Sequence, residues 1–201
     1  MTQAAVPRVG APVVEAFPPL PGTASARFHE WVLLNDAPIK QMLRLLTDRW
    51  QPAATFLEIN FMHPDLGPAG ALVLTTHTID VTMMRRRAER LVVIPHRELG
   101  EILTRLERGE TVVVGTHEMP DPLARRYLAT PFEWSLNVPV CVDGSWVASV
   151  GAVATEVGFS HPAIAGFEAM AGLLRCDFAA DQAWEEFSRL TVNNRLLRLL
   201  G

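Results

Sequence analysis

The stretch Ser135-Leu136-Asn137-Val138-Pro139-Val140-Cys141-Val142, then Asp143-Gly144, then Ser145-Trp146-Val147-Ala148-Ser149-Val150-Gly151-Ala152-Val153-Ala154-Thr155, carries the strongest local signal in the chain. Asp-Gly between two alternating or apolar runs suits a type I′ turn, in which both central residues need positive φ, so the segment predicts a β-hairpin. Alternation along the first strand sets Leu136, Val138, Val140 and Val142 on one face and Ser135, Asn137 and Cys141 on the other. One face is greasy and the other mixed.

Upstream of the hairpin, residues 120–129 predict a short helix opened by Asp121 and Pro122, and residues 111–114 a strand. Residues 98–108 read as a helix through Leu99, Ile102, Leu103 and Leu106, with Gly109 where a C′ glycine belongs. Residues 91–94 form a short buried-strand candidate, reached through a polar connection with Arg85, Arg86, Arg87 and Arg90. In 53–62, Phe56, Glu58 and Asn60 interleave with Leu57, Ile59 and Phe61, which is the period of a strand. The turn-like His63-Pro64-Asp65-Leu66-Gly67 joins it to a second strand over 71–80. Before these, Phe28, Trp31, Ile39, Met42, Leu43, Leu46 and Trp50 recur at helical spacing, with a break expected near Asn35. Downstream, Ile164, Phe167, Ala171, Leu174 and Phe178 mark a helix from about Ser160. A second amphipathic helix is expected from Asp181 to about Leu200.

This order predicts one α+β domain. The prolines at 7, 12, 18, 19 and 21 make residues 1–24 an extended arm, leaving a domain over 25–180 and a C-terminal helix over 181–201. A chain of 201 residues buries a core without disulfides or metals. Eighteen Lys and Arg against 22 Asp and Glu give a net charge of −4, which lacks the basic footprint of a nucleic-acid binder. No 18-residue apolar run is present, and Arg8 lies in a Pro-interrupted stretch instead of ahead of an apolar one. No membrane span, no signal peptide and a cytoplasmic location are the expectations.

From Arg126-Tyr127-Leu128 through Ser135 to Val140, Val142 to Val147 and the small residues Ala148, Ser149 and Gly151, the chain resembles a GAF domain. The resemblance covers roughly residues 26–178. It implies an antiparallel central sheet of about six strands, flanked by helices on both faces, in a sensory or regulatory domain that binds a small molecule. Bilin-binding members carry Cys and His just before the tyrosine matching Tyr127, where this chain has Leu123 and Ala124, so covalent bilin attachment is not expected. The residue series of the cyclic-GMP subtype is absent. Methionine sulfoxide reductases of this fold use several cysteines; this chain has only Cys141 and Cys176.

The bilin-binding members line their pocket with positions matching Ser135 and Asn137, which implies that the mixed face is the ligand side. The expected site is Tyr127, Phe132, Trp134, Ser135 and Asn137, with His117 or Glu118 at its rim; core packing is the competing reading of each aromatic. By the same resemblance Glu118 and Asp121 stand where those members hold acidic groups, which disfavours an anionic ligand. The six histidines are spread singly, with no metal-helix spacing, and no metal, cofactor or catalytic residue is assigned. The arginine run is read as a solvated connection or an anion-binding cluster. Two functional readings stand beside the small-molecule one: a ligand-free dimerisation module, and an enzyme on the same fold. The apolar stripes of the terminal helices exceed what one sheet face absorbs, so a homodimer built on them is expected.

Overall fold

The computed structural model describes residues 23–75, 93–128, 130–156 and 158–200. Two helices, α1 (Thr23–Leu34) and α2 (Asp36–Trp50), lead into strands β1 (Ala54–His63), β2 (Gly67–Thr75) and β3 (Val93–Pro95). Helix α3 (Glu101–Glu107), strand β4 (Val112–Gly115) and helix α4 (Asp121–Tyr127) follow, then β5 (Trp134–Val142), β6 (Ser145–Ala154) and helix α5 (His161–Leu200). The strands form one six-stranded sheet in the order β3-β2-β1-β6-β5-β4, and every recorded pairing is antiparallel.

The hairpin forms as its turn chemistry dictates. Asp143 and Gly144 take φ of 51° and 76°, the doubly positive pair of a type I′ turn, and β5 and β6 pair along their whole length. One sheet face carries Leu136, Val138, Val140 and Val142 against Phe28, Ile39, Leu43, Phe167 and Leu174 of α1, α2 and α5. The other carries Phe56, Val112, Val114, Trp146 and Val153 against Ile102, Leu106, Leu123 and Tyr127 of α3 and α4. Helices therefore cover both faces of an α+β sheet. Burying each large apolar side chain contributes roughly 1.5–3 kcal/mol, and Phe28, Leu43, Leu57, Leu136, Phe167 and Leu174 are fully covered.

Several boundaries differ from the expectation; β2 starts at Gly67, already paired with His63, where residue 71 was expected. The C-terminal helix is one continuous run from His161 to Leu200, not two helices parted near Asp181. Residues 178–183 hold neither Gly nor Pro, so nothing breaks the helix, and Asp181 accepts a 2.6 Å hydrogen bond from Trp31 Nε1 that ties α5 to α1. Thr23 and Ala24, placed with the arm, open α1, and the break between α1 and α2 falls at Asn35 as expected. The rest of the arm, His77, the end of the second strand beyond residue 75, and the run Arg85, Arg86, Arg87 and Arg90 lie outside the described residues.

Candidate functional site

Polar side chains gather on the sheet face that carries α3 and α4. At its β5 end, Ser135 Oγ accepts hydrogen bonds from Tyr127 Oη at 3.2 Å and Asn137 Nδ2 at 2.9 Å. Two accepted bonds use both lone pairs of the hydroxyl, so its own proton remains to be donated. Ser135 and Tyr127 are buried, and burial pushes the Tyr127 phenol up to about 12, so it stays a neutral donor at any physiological pH.

A second polar group sits on β1 and its neighbours. Asn60 donates to the Trp146 carbonyl at 2.9 Å, and its Oδ1 lies 3.2 Å from His96 Nε2. The His96 ring stacks on Trp146 at 5.0 Å, and Trp146 Nε1 donates to Ser149 Oγ at 3.0 Å. Burial pushes His96 down to about 4 and keeps it neutral.

Glu58 lies between these groups and differs from them. It is 9% exposed, directly opposite Ser149 on β6, and near enough to Tyr127 to act on its phenol electrostatically. Among the described residues no donor or cation partners its carboxyl, and desolvation alone pushes it up to about 7. A Cβ on Gly70 would fall 1.7 Å from its Oε1, so only glycine on β2 leaves room for the carboxyl. The β1–β2 register also slips between Leu57 and Glu58, an irregularity of the kind that re-aims side chains next to binding sites.

The structure thus brings Tyr127, Ser135 and Asn137 together and packs Phe132 into the same cluster. Trp134 stands apart. Its even position in β5 turns it to the α5 face, where it lies beside Gly158 and meets His117 edge-on at 6.0 Å. His117 and Glu118 are exposed, their nearest N–O distance is 4.0 Å, and Glu118 Oε2 accepts from the Gly115 backbone at 3.0 Å. Among the described residues no cluster of three His, Cys, Asp or Glu could hold a metal. A cleft of about 290 Å³ between Trp50, Pro52, Glu156 and Phe159 holds no buried polar side chain.

Glu58, Asn60, His96 and Ser149 escape the sequence reading. The signal was present in the alternation of Phe56, Glu58 and Asn60, but polar members of an alternating strand ordinarily face water. Here α3 and α4 cover that face, which only the three-dimensional arrangement reveals.

No family model matches the sequence, and no curated protein matches it significantly. Solved structures do match. The chain is similar to the GAF domain/HD domain protein of Geobacter sulfurreducens at 16% identity and a TM-score of 0.53, over 72% of this chain and 91% of that one. The photoproduct state of GAF3 from a Synechocystis protein aligns at 12% identity and a TM-score of 0.56, over 76% and 98%. Free methionine-R-sulfoxide reductase of Neisseria meningitidis, in complex with its substrate, aligns at 16% and 0.54, over 73% and 79%. With a six-stranded antiparallel sheet covered by helices on both faces, matched across nearly the whole of a GAF domain, the chain has the fold of a GAF domain.

Proposed function

We propose that this protein is a sensory or regulatory domain that binds a small molecule on the α3/α4 face of its sheet and signals through a homodimer or partner contact. The observation that carries this reading is the polar set of buried Glu58, Tyr127 and Ser135 with half-buried Asn137 on a face otherwise lined by apolar side chains. Buried polar groups are costly when unpaired, and a face built only for packing would replace them with apolar residues. Solved neighbours include sensory proteins such as the GAF/HD protein and a putative two-component sensor histidine kinase of Sinorhizobium meliloti.

A signal needs a surface that changes with ligand. Exposed Leu34, Leu45, Leu173 and Trp184 lie on α1, α2 and α5 and suit a contact between two copies. Leu173 and Trp184 are eleven residues apart, about three helical turns, and so share a stripe of α5. No described helix is long and apolar enough to cross a membrane.

The close packing of Phe56, Tyr127, Phe132 and Trp146 favours the second reading, a ligand-free dimerisation module. The enzyme reading has less support. Cys141 packs against the α3/α4 face, with its thiol pushed up by burial, whereas Cys176 is exposed on α5, which packs on the opposite face. A thiol held protonated is a poor nucleophile. Native mass spectrometry of protein purified from its own host tests the proposal. A dimer carrying a noncovalent adduct that leaves on denaturation is the expected result; a bare dimer supports the ligand-free module, and a bare monomer overturns both.

A further inference from the structure

Resting on the small-molecule reading, we infer that Glu58 is the recognition anchor of the site and that the ligand it takes is a small organic cation, an ammonium or amidinium group on an apolar body. The carboxyl is nine-tenths buried, has no partner among the described residues, and is given its place by Gly70. A carboxylate is an acceptor on both oxygens, so the complementary ligand group is a charged N–H donor. Phe56 lies two residues away on the same strand face, and Tyr127 belongs to the same apolar cluster, surroundings that suit the apolar body of such a ligand.

The electrostatics of the face point the same way. Burial of Glu58 favours its neutral form, and a bound cation would favour the carboxylate, so binding releases a proton. The other titratable and charged groups described on that face are Tyr127, held near 12, His96, held near 4, Cys141, whose thiol burial pushes up, and the Arg126–Glu98 pair, in which the Arg126 hydrogen bonds hold the carboxyl below its usual range. None of these changes charge between pH 6 and 8. The pH dependence of cation binding in that window therefore belongs to Glu58.

Titration of the ¹⁵N-labelled full chain with four matched probes tests this: benzamidine and benzylamine as cations, benzyl alcohol as the neutral form, and benzoate as the anion. The expected result is that both cations shift the amides of Glu58, Tyr127 and Ser149, bind at least about tenfold more tightly than benzyl alcohol or benzoate, and gain affinity by about tenfold from pH 6 to pH 8. Glu58→Gln, close in shape, should keep the amide spectrum of the fold, reduce cation affinity by at least about tenfold and abolish the pH dependence. Equal binding of the neutral probe, unchanged cation binding by Glu58→Gln, or no shift of these amides with any probe overturns the inference. The reading on which it rests is judged separately: a neutral or acidic compound that copurifies with the protein from its host would keep the small-molecule reading and overturn the cation.

Discussion

Arg126 on α4 holds Glu98, at the turn after β3, through two hydrogen bonds, Nη2 to Oε1 at 2.8 Å and Nε to Oε2. The side chains are only 22% and 18% exposed, so this is a paired charge under the protein surface, not a solvated ion pair. The Arg126 hydrogen bonds hold the Glu98 carboxyl below its usual range, against the opposing effect of burial. Arg126→Met leaves that largely covered carboxylate without its hydrogen-bond partner, and should destabilise the fold by about 1–3 kcal/mol in urea at pH 7. A carboxyl with a depressed folded pKa contributes stability above its unfolded value, and loses it as pH falls through the folded one. The difference between wild type and Arg126→Met should therefore shrink below about pH 4. Equal urea midpoints at pH 7 would contradict this account.

Glu58 has the opposite sign. Its folded pKa of about 7 lies above the unfolded value near 4.5, so the folded protein binds the extra proton between these limits and loses stability as pH rises through them. Glu58→Gln removes the titration and should be the more stable protein at pH 8, by up to about 3 kcal/mol. The gain should fade to nothing below about pH 4.5. Parallel stability profiles for the two proteins across pH 4–8 would show that Glu58 is not buried as an uncompensated acid.

Two buried histidines act at the acid end. His29 on α1 has no hydrogen-bond partner at either ring nitrogen among the described residues, and burial pushes both it and His96 down to about 4 from 6.5. Their folded forms are neutral, so their stabilising contribution is present above pH 6.5 and is lost as pH falls toward 4. His29→Leu should flatten this acid limb and raise stability at pH 7 by about 1–3 kcal/mol, since it removes unpaired buried nitrogens. Thermal melts from pH 7 to 4.5 in a Glu58→Gln background isolate the effect. An acid limb as steep as the parent's would sink it.

The proposed dimer has its own test. Leu173 is 54% exposed and Trp184 67%, and both lie on one stripe of α5. Light scattering at micromolar concentration should give a mass near twice the 22.2 kDa chain, and Leu173→Glu with Leu34→Glu should return it to a single chain with the fold intact. A wild-type mass near 22.2 kDa would remove the dimer from the proposal.

Much of this architecture follows from short-range rules that a sequence states openly. Asp143-Gly144 between two strand-forming runs dictates a type I′ hairpin whatever surrounds it, because few residues tolerate two successive positive φ angles. The three-to-four spacing through Phe28, Ile39 and Leu43, and through Phe167 and Leu174, marks the stripes that cover one sheet face. Ser135 and Asn137 were legible as a polar pair on the mixed face, since alternation in a strand is geometric. Tertiary structure alone decided what that face means. Glu58 and Asn60 look in sequence like the wet side of a strand; in the fold Tyr127 of α4 comes near Glu58, His96 and Trp146 hold Asn60, and both side chains are buried. Trp134, one residue from Ser135, falls on the opposite face, and Trp31, 150 residues away, binds Asp181 and ties the continuous α5 to α1. Contacts across such distances leave no local pattern, because desolvation and pairing depend on which surfaces meet, and the fold settles that only when the whole sheet is assembled.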